Sequence, residues 1–247
     1  MPERRLLWDG CVNVRDLGGI PTEDGGHTRF GAVVRADSIR QLSDAGWDAL
    51  VRYGIRRVVD LRLHGELAVD PPRELPVDVV HVSVVPELDA ADWQEIDEIR
   101  LRADEVTAMR NVYLEFLERY AARFAAAVGA VAAAQRPGVL VHCLGGKDRT
   151  GLVVALLLRV AGVGRDEVAA DYALSGEYLA ASSEAWIAAA ETERERELRR
   201  RICVTPAAAM SEVVEELERR YGGVAEYLST GGATGEQLAQ ARALLRG

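Results

Sequence analysis

Cysteine is scarce in this chain: Cys11, Cys143 and Cys203 are the three in 247 residues. An odd, widely spaced set builds no disulfide framework and points to a reducing compartment. Long apolar runs are missing as well. No stretch reaches the roughly 18 apolar residues of a membrane-spanning helix, which argues against an integral membrane segment. Met1 to Trp8 lead into Asp9-Gly10 without the apolar core of a signal peptide, so the expected location is cytoplasmic, with leaderless secretion left open. Positive charge is in deficit: 30 Lys and Arg against 39 Asp and Glu give a net charge of −9. That balance argues against nucleic acid and anionic membranes as partners, and an anionic substrate must be drawn in by a local positive site. No His/Asp cluster has metal-ligand spacing, so neither metal nor cofactor is expected. Repeats, linkers and low-complexity tracts are also missing. With 49% hydrophobic and 28% charged residues, 1–247 reads as a single domain.

What is present concentrates in Gly138-Val139-Leu140-Val141-His142-Cys143-Leu144-Gly145-Gly146-Lys147-Asp148-Arg149-Thr150-Gly151. Gly138 to Val141 is a short apolar run after Arg136-Pro137, which suits a buried parallel strand. Leu152 to Leu158 is apolar nearly all round and suits a helix inside the core. Between them stand a cysteine, five residues and an arginine, with Gly145 and Gly146 in the turn. Glycines let backbone N–H groups converge on one point, and a helix N-terminus adds partial positive charge there. The pattern describes an anion cradle with a thiol at its floor.

That placement predicts nucleophilic chemistry. A helix N-terminus and a nearby cation favour the thiolate of Cys143, and the thiolate is the attacking form. Arg149 offers a planar fork that matches two phosphoryl oxygens, increasingly so as charge spreads in the transition state. Thr150 is expected to donate its hydroxyl to the sulfur, and His142 to orient the loop through its ring N–H. Leu144, Gly145, Gly146 and Lys147, with Asp148 and Arg149, make the predicted phosphate-binding set. Each has a competing, plainer role. A lone cysteine is usually core, and Cys11 and Cys203 are read that way. For Cys143 the reading reverses, since a Gly-Gly turn and an arginine at this spacing serve no packing purpose. His142 also fits a satisfied core histidine. Lys147 also fits an exposed lysine, although its place in the cradle favours substrate contact.

His142-Cys143 followed by Arg149-Thr150-Gly151 resembles the signature of cysteine-dependent protein tyrosine phosphatases. The inner Gly146-Lys147-Asp148-Arg149-Thr150-Gly151 is similar to the bacterial tyrosine/lipid phosphatase branch, whose members usually carry alanine at the position of Gly145. Asn13 to Gly19 resembles that branch's N-terminal motif, and Val58-Val59-Asp60-Leu61-Arg62 its second strand. Asp171 to Ser175 and Tyr221 to Leu228 resemble its later helices, so the match spans nearly the whole chain in order. The resemblance implies an α/β fold, a three-layer sandwich with a mainly parallel central sheet and flanking helices. It implies supporting roles for Asp60 and Arg62, and it makes Asp148 the general acid. Many tyrosine phosphatases draw that proton from a separate Trp-Pro-Asp loop, a tripeptide absent here. Asp89, Asp92 and Asp97 compete for the role, and Asp148 has an alternative as a brace that accepts backbone N–H bonds or pairs with Arg149.

Around this centre, Arg29 to Arg35 reads as a strand after a hairpin near Glu23-Asp24-Gly25-Gly26. Ser43 caps a helix with Trp47, Leu50 and Val51 on its inner face and Gly54 at its end. Ile55 to Leu61 and Val77 to Val85 are further strands, the latter bounded by Pro76 and Pro86; strand–helix–strand is the grammar of a parallel sheet. Residues 87–104 are acidic, with Leu88, Trp93, Ile96, Ile99 and Leu101 interspersed. A solvated amphipathic helix is the plainer reading of that segment and a mobile lid the functional one. Val106, Met109, Tyr113, Phe116, Tyr120, Phe124 and Val128 recur at helical spacing as a core stripe. Arg165 to Leu174, Tyr178 to Arg201 and Thr205 to Tyr221 read as helices, the last begun by Thr205 as N-cap and Pro206. Glu195–Arg199 and Glu197–Arg201 pair along a solvated face, and a final helix runs from Thr234 to Leu245.

The sequence therefore predicts a phosphomonoester hydrolase acting through a Cys143–phosphate intermediate. Its partners are phosphorylated: a protein carrying phosphotyrosine or phosphoserine/threonine, a phosphoinositide lipid, or a small metabolite. A non-catalytic phosphate-binding pseudophosphatase is the rival from another class, disfavoured because Cys143, Asp148 and Arg149 are all kept. A rhodanese-like sulfurtransferase is disfavoured because its loop typically has one residue fewer before the arginine.

Overall fold

The structure is a computed structural model that describes residues 3–71 and 77–247. At its centre is a five-stranded sheet of β1 (Arg15–Asp16), β2 (Val33–Ala36), β3 (Arg57–Asp60), β4 (Asp78–His81) and β5 (Val139–His142). The order is β1-β2-β5-β3-β4, and only β1 runs antiparallel. Register sets the site. Val139 lies opposite both Val33 and Arg57, and His142 opposite both Ala36 and Asp60. The carboxyl ends of three neighbouring strands are therefore level, and the loop after β5 emerges between the other two, where parallel sheets bind ligands.

Both faces of the sheet are covered, which makes three layers. Val34, Ala36, Val58 and Leu140 enter a core shared with Trp8, Trp47 and Leu50. Val33, Val59, Val139 and Val141 enter a larger core on the opposite face. Side chains alternate along a strand, so a strand buried on both faces is apolar throughout, as Val139 to Val141 is. On the first side lies α1 (Asp44–Tyr53), capped as expected: Ser43 Oγ accepts from the Gly46 N–H at 3.2 Å, and Gly54 closes it at φ 96°. Its buried stripe centres on Gly46, Trp47 and Leu50, which leaves Val51 on the flank and exposed, contrary to expectation.

A short α2 (His64–Val69), unforeseen, follows β3, and α3 (Ala90–Arg102) follows β4. Next come α4 (Glu105–Arg119), α5 (Ala121–Ala132), α6 (Asp148–Val160), α7 (Arg165–Tyr178), α8 (Ala180–Ala188), α9 (Glu193–Cys203), α10 (Ala207–Tyr221), α11 (Val224–Thr230) and α12 (Gly235–Arg246). Most of the larger core comes from α4 to α7 and α10 to α12. The predicted stripe from Val106 to Val128 is two helices, broken where Tyr120 leaves helical geometry at ψ 29°. Its phase survives the break, since Met109, Tyr113, Phe116, Phe124 and Val128 are all buried. Tyr178 to Arg201 is likewise two helices, because Thr192 starts a new one by accepting the Glu195 N–H at 3.1 Å. Thr205 does not cap α10; Pro206 holds that position while the Thr205 hydroxyl donates to the Ala173 carbonyl at 3.2 Å. The strand predicted from Arg29 to Arg35 shortens to β2, and that from Val77 to Val85 shortens to β4. Pro76, its expected boundary, lies outside the described residues.

Candidate active site

The loop from Cys143 to Lys147 is tied down from behind at successive carbonyls. The Leu144 carbonyl accepts the Ser38 N–H at 2.8 Å, that of Gly145 the Asn13 side-chain amide at 2.9 Å, and that of Gly146 the Arg35 Nη2 at 2.6 Å. The Cys143 carbonyl accepts from His142 Nδ1 at 3.0 Å, so that nitrogen carries the hydrogen. In a trans peptide the carbonyl and the following N–H point in opposite directions. Tying four carbonyls back thus turns the N–H groups of Leu144, Gly145, Gly146 and Lys147 the other way, as an oxyanion requires. Gly146 alone among the loop residues has a positive φ, 65°, and a Cβ there would lie 2.3 Å from the Ala36 carbonyl oxygen. A Cβ on Gly145 would meet nothing within 4 Å, so an alanine there would leave the loop as it is.

Cys143 lies at the foot of this loop, 2% exposed. The helix α6 begins at Asp148, so Asp148, Arg149 and Thr150 are its first turn. Arg149 is held end-on by Glu66 of α2, Nη1 to Oε2 at 2.6 Å and Nη2 to Oε1 at 2.8 Å. Glu66 in turn accepts the Leu63 N–H at 2.7 Å. Two of the five guanidinium donors are engaged there, which leaves the Nε side for an anion. Burial opposes the Arg149 charge, but the nearby Cys143 sulfur and then Glu66 outweigh it and hold its pKa above the ordinary value. For Glu66 burial is again the largest single influence and opposes the charge, yet its bond to Arg149 keeps the carboxylate ionised to lower pH than usual.

Two expectations for the loop are corrected. Lys147 does not turn toward the cradle: its buried amine donates to the Ile202 carbonyl, reaches the Val204 carbonyl at 3.5 Å and lies 3.3 Å from Asp148 Oδ1. The C-terminal carbonyls of a helix lack intrahelical partners and carry partial negative charge, so the end of α9 competes successfully for the ammonium. Thr150 makes no hydrogen bond to the sulfur; its buried hydroxyl has no partner among the described residues. Because α6 starts before Thr150, its side-chain direction is set by the helix and cannot adjust as a loop residue could.

Asp148 neither pairs with Arg149 nor caps backbone N–H groups. Its Oδ1 accepts the Tyr113 hydroxyl at 2.6 Å, and its side chain is 36% exposed. Burial pushes its pKa up, yet the Lys147 charge and the Tyr113 bond prevail and hold the carboxyl below its ordinary range. Of its competitors, Asp89 and Asp92 cap α3 reciprocally, Asp89 Oδ1 accepting from the Ala91 and Asp92 N–H groups at 2.8 and 2.9 Å. Asp97 pairs with Arg100 at 3.0 Å. Segment 87–104 is largely α3, with Ile96 buried against the core and its acids outward, the plainer of the two readings.

Asp60 and Arg62 stand behind the site. Arg62 Nη2 donates to Asp60 Oδ2 at 2.8 Å, its Nη1 reaches Asp70 Oδ2 at 3.0 Å, and His81 Nε2 hydrogen-bonds the Arg62 carbonyl at 2.7 Å. His142 Nε2 lies 3.7 Å from Asp60, but burial dominates and lowers the His142 pKa, favouring the neutral ring. A second buried network carries the loop itself. Asp171 accepts from Arg15 Nε at 3.1 Å, from Arg35 Nη1 at 2.8 Å and from Arg4. Arg35 passes this support to Gly146, while Arg15 Nη1 donates to Asn13 Oδ1 at 2.6 Å and Asn13 supports Gly145. Asn13, Arg35 and Glu66 had no assigned site role from sequence and Tyr113 only a core one, and only Asn13 lay in a motif that could have flagged it. No group of three or more His, Cys, Asp or Glu residues suited to hold a metal ion occurs among the described residues.

The sequence is similar to those of known proteins. The tyrosine-protein phosphatase of Nostoc commune is 32% identical over 151 residues, 60% of this chain and 49% of that one. This chain thus spans about half the length of that relative. The triple specificity protein phosphatase PtpB of Mycobacterium tuberculosis is 34% identical over 193 residues, 68% of each chain. The profile of the tyrosine phosphatase family matches residues 6–247, taking in every strand of the sheet and the whole of the cysteine loop. The chain belongs to the tyrosine phosphatase family.

Proposed function

We propose that the chain is a cysteine-dependent phosphomonoester hydrolase acting on phosphotyrosine, with a range that extends to phosphoserine/threonine or phosphoinositides. One observation carries this reading: a buried cysteine at the foot of a loop whose carbonyls are tied back, with a guanidinium held beside it by Glu66. The Cys143 thiolate attacks phosphorus while the bond to the leaving oxygen breaks, and that oxygen takes a proton from Asp148. The loop N–H groups and Arg149 hold the equatorial oxygens as their charge grows. Water then attacks the cysteinyl-phosphate, giving its proton to Asp148, and the thiolate leaves. The reaction uses no metal or cofactor, and 1–247 acts as one catalytic domain in a reducing, cytoplasmic compartment. Helix α3, within segment 87–104, stands beside the site, and its Arg100 charge favours the ionised form of Asp148. A relative named for triple specificity supports the wider substrate range.

Hydrolysis of nitrophenyl phosphate in the presence of a chelator tests this. Wild type should turn over, and Cys143→Ser should not, while still binding vanadate. Appreciable turnover by the serine variant would exclude the covalent route. Loss on chelation that added metal restores would exclude the metal-free reading.

A further inference from the structure

Asp148 has two oxygens in unequal surroundings. Oδ1 accepts the Tyr113 hydroxyl at 2.6 Å and faces the Lys147 amine at 3.3 Å, whereas Oδ2 has no partner among the described residues. The Tyr113 hydroxyl is itself 2.8 Å from that of Tyr172, and the two rings meet edge-on at 5.9 Å and 85°. Both tyrosines are at most 1% exposed. A buried pair of hydroxyls from α4 and α7 thus converges on one oxygen of one carboxylate, which packing alone does not require: phenylalanine would fill the same space.

We propose that Tyr113, braced by Tyr172, is a positioning residue that occupies Asp148 Oδ1 and so leaves Oδ2 as the oxygen that carries the transferred proton. The inference rests on the reading of Asp148 as general acid. As the sulfur–phosphorus bond forms and the phosphorus–oxygen bond breaks, the leaving oxygen keeps the electron pair and takes the Oδ2 proton. Asp148 becomes a carboxylate. In the second step water gives Oδ2 a proton as its oxygen bonds to phosphorus, and the sulfur leaves with the electron pair of its bond to phosphorus. Tyr113 keeps its hydrogen throughout, since burial and then the Asp148 charge hold it protonated well beyond the usual phenol range. The other groups facing Asp148 are Lys147 from the loop, Arg149 from its own helix, Arg100 from α3 and Tyr172 from α7.

Removing a donor from a carboxylate favours its protonated form. In Tyr113→Phe, Asp148 should therefore keep its proton to higher pH, moving the basic limb of kcat/KM upward by about one pH unit. On the plateau below that limb, where Asp148 is protonated in both proteins, rates with a tyrosyl phosphate should fall more than with nitrophenyl phosphate, whose leaving group needs less proton assistance. Tyr172→Phe should shift the limb the same way by less, and it serves as the test if Tyr113→Phe is unstable. Because Tyr113 acts through Asp148, adding Tyr113→Phe to Asp148→Asn should cost nothing further with the tyrosyl substrate. An unmoved basic limb, equal losses for both leaving groups, or losses that multiply in the double variant would overturn the proposal. Failure of the underlying reading looks different: Asp148→Asn alone would then lose the same factor with both leaving groups.

Discussion

Arginine–carboxylate pairs hold two regions of this molecule in opposite ways. Beneath the phosphate loop, the side chains of Arg15, Arg35 and Asp171 are at most 1% exposed. Along α9, those of Glu193, Glu197 and Arg200 are 41–72% exposed. Each buried arginine also gives one bond toward the loop, Arg35 to the Gly146 carbonyl and Arg15 to Asn13, which supports Gly145, so their position is passed to the Cys143–Lys147 loop. The α9 pairs mostly engage one another on a single helix, where water competes for every charge. The same chemistry is structural support in one place and surface solvation in the other.

Asp171→Asn should break the comparison most severely. It leaves two fully buried guanidinium groups without their carboxylate, a loss of about 3–5 kcal/mol in urea unfolding, and vanadate binding should weaken with it. Glu197→Gln on α9 should leave the urea midpoint unmoved. The pH dependence separates them further. Burial alone would raise the Asp171 pKa, but Arg15, Arg35 and Arg4 drive it far below the usual carboxylate range. A depressed folded pKa means the contribution is complete above the unfolded value of about 3.9 and is lost as pH falls toward the folded one. The stability gap between wild type and Asp171→Asn should therefore narrow below about pH 4. A gap that stayed constant there would mean the network is not held by charge.

Lys147 is where the two regions meet, since its amine joins the loop to the carbonyl end of α9. Lys147→Met keeps the length and apolar stem but strands two part-buried carbonyls, at up to about 1–3 kcal/mol of stability. Inorganic phosphate affinity should change little. Unchanged stability with a large loss of phosphate affinity would restore the substrate contact read from the sequence.

Glu66→Gln concerns a pair of intermediate burial, Arg149 at 17% and Glu66 at 21% side-chain exposure. The amide retains the shape and loses the charge that orients the fork. A roughly tenfold fall in kcat/KM is expected, about 1.4 kcal/mol of transition-state binding. An unchanged or raised kcat/KM would show instead that Glu66 competes with the substrate for Arg149.

What could be read in the sequence was what depends on residue type at fixed spacing. Cys143, the glycines and Arg149 point to an anion loop because few other patterns place those types together, and the apolar run before them declares a strand buried on two faces. The fold class came with the resemblance those motifs carry and with the strand–helix–strand order of the chain. Tyr113 was hidden because a tyrosine at helical spacing among apolar residues looks like any core position, and its hydroxyl partner lies 35 residues away. Glu66 sits in a six-residue helix too short to show periodicity. Lys147 was misread for a different reason: its partners are main-chain carbonyls about 55 residues later, and backbone atoms leave no mark in a sequence.

The smallest expected effect lies inside the cradle itself and has the opposite sign. Gly145 has no positive φ, and a Cβ there meets nothing within 4 Å, so Gly145→Ala fits the native backbone without displacement. Replacing glycine at a compatible position restricts the unfolded chain and should raise stability by about 0.4–1 kcal/mol. Its carbonyl still accepts from Asn13, so the direction of the Gly146 N–H is preserved and vanadate affinity should hold. Gly146 admits no such change, because its left-handed φ and the Ala36 carbonyl at 2.3 Å both exclude a side chain. Two adjacent glycines thus differ in kind, one tolerated by open space and one demanded by backbone. Urea midpoints and vanadate titrations of Gly145→Ala decide the matter: a destabilised variant, or one that lost the anion, would mean the loop needs freedom at both glycines.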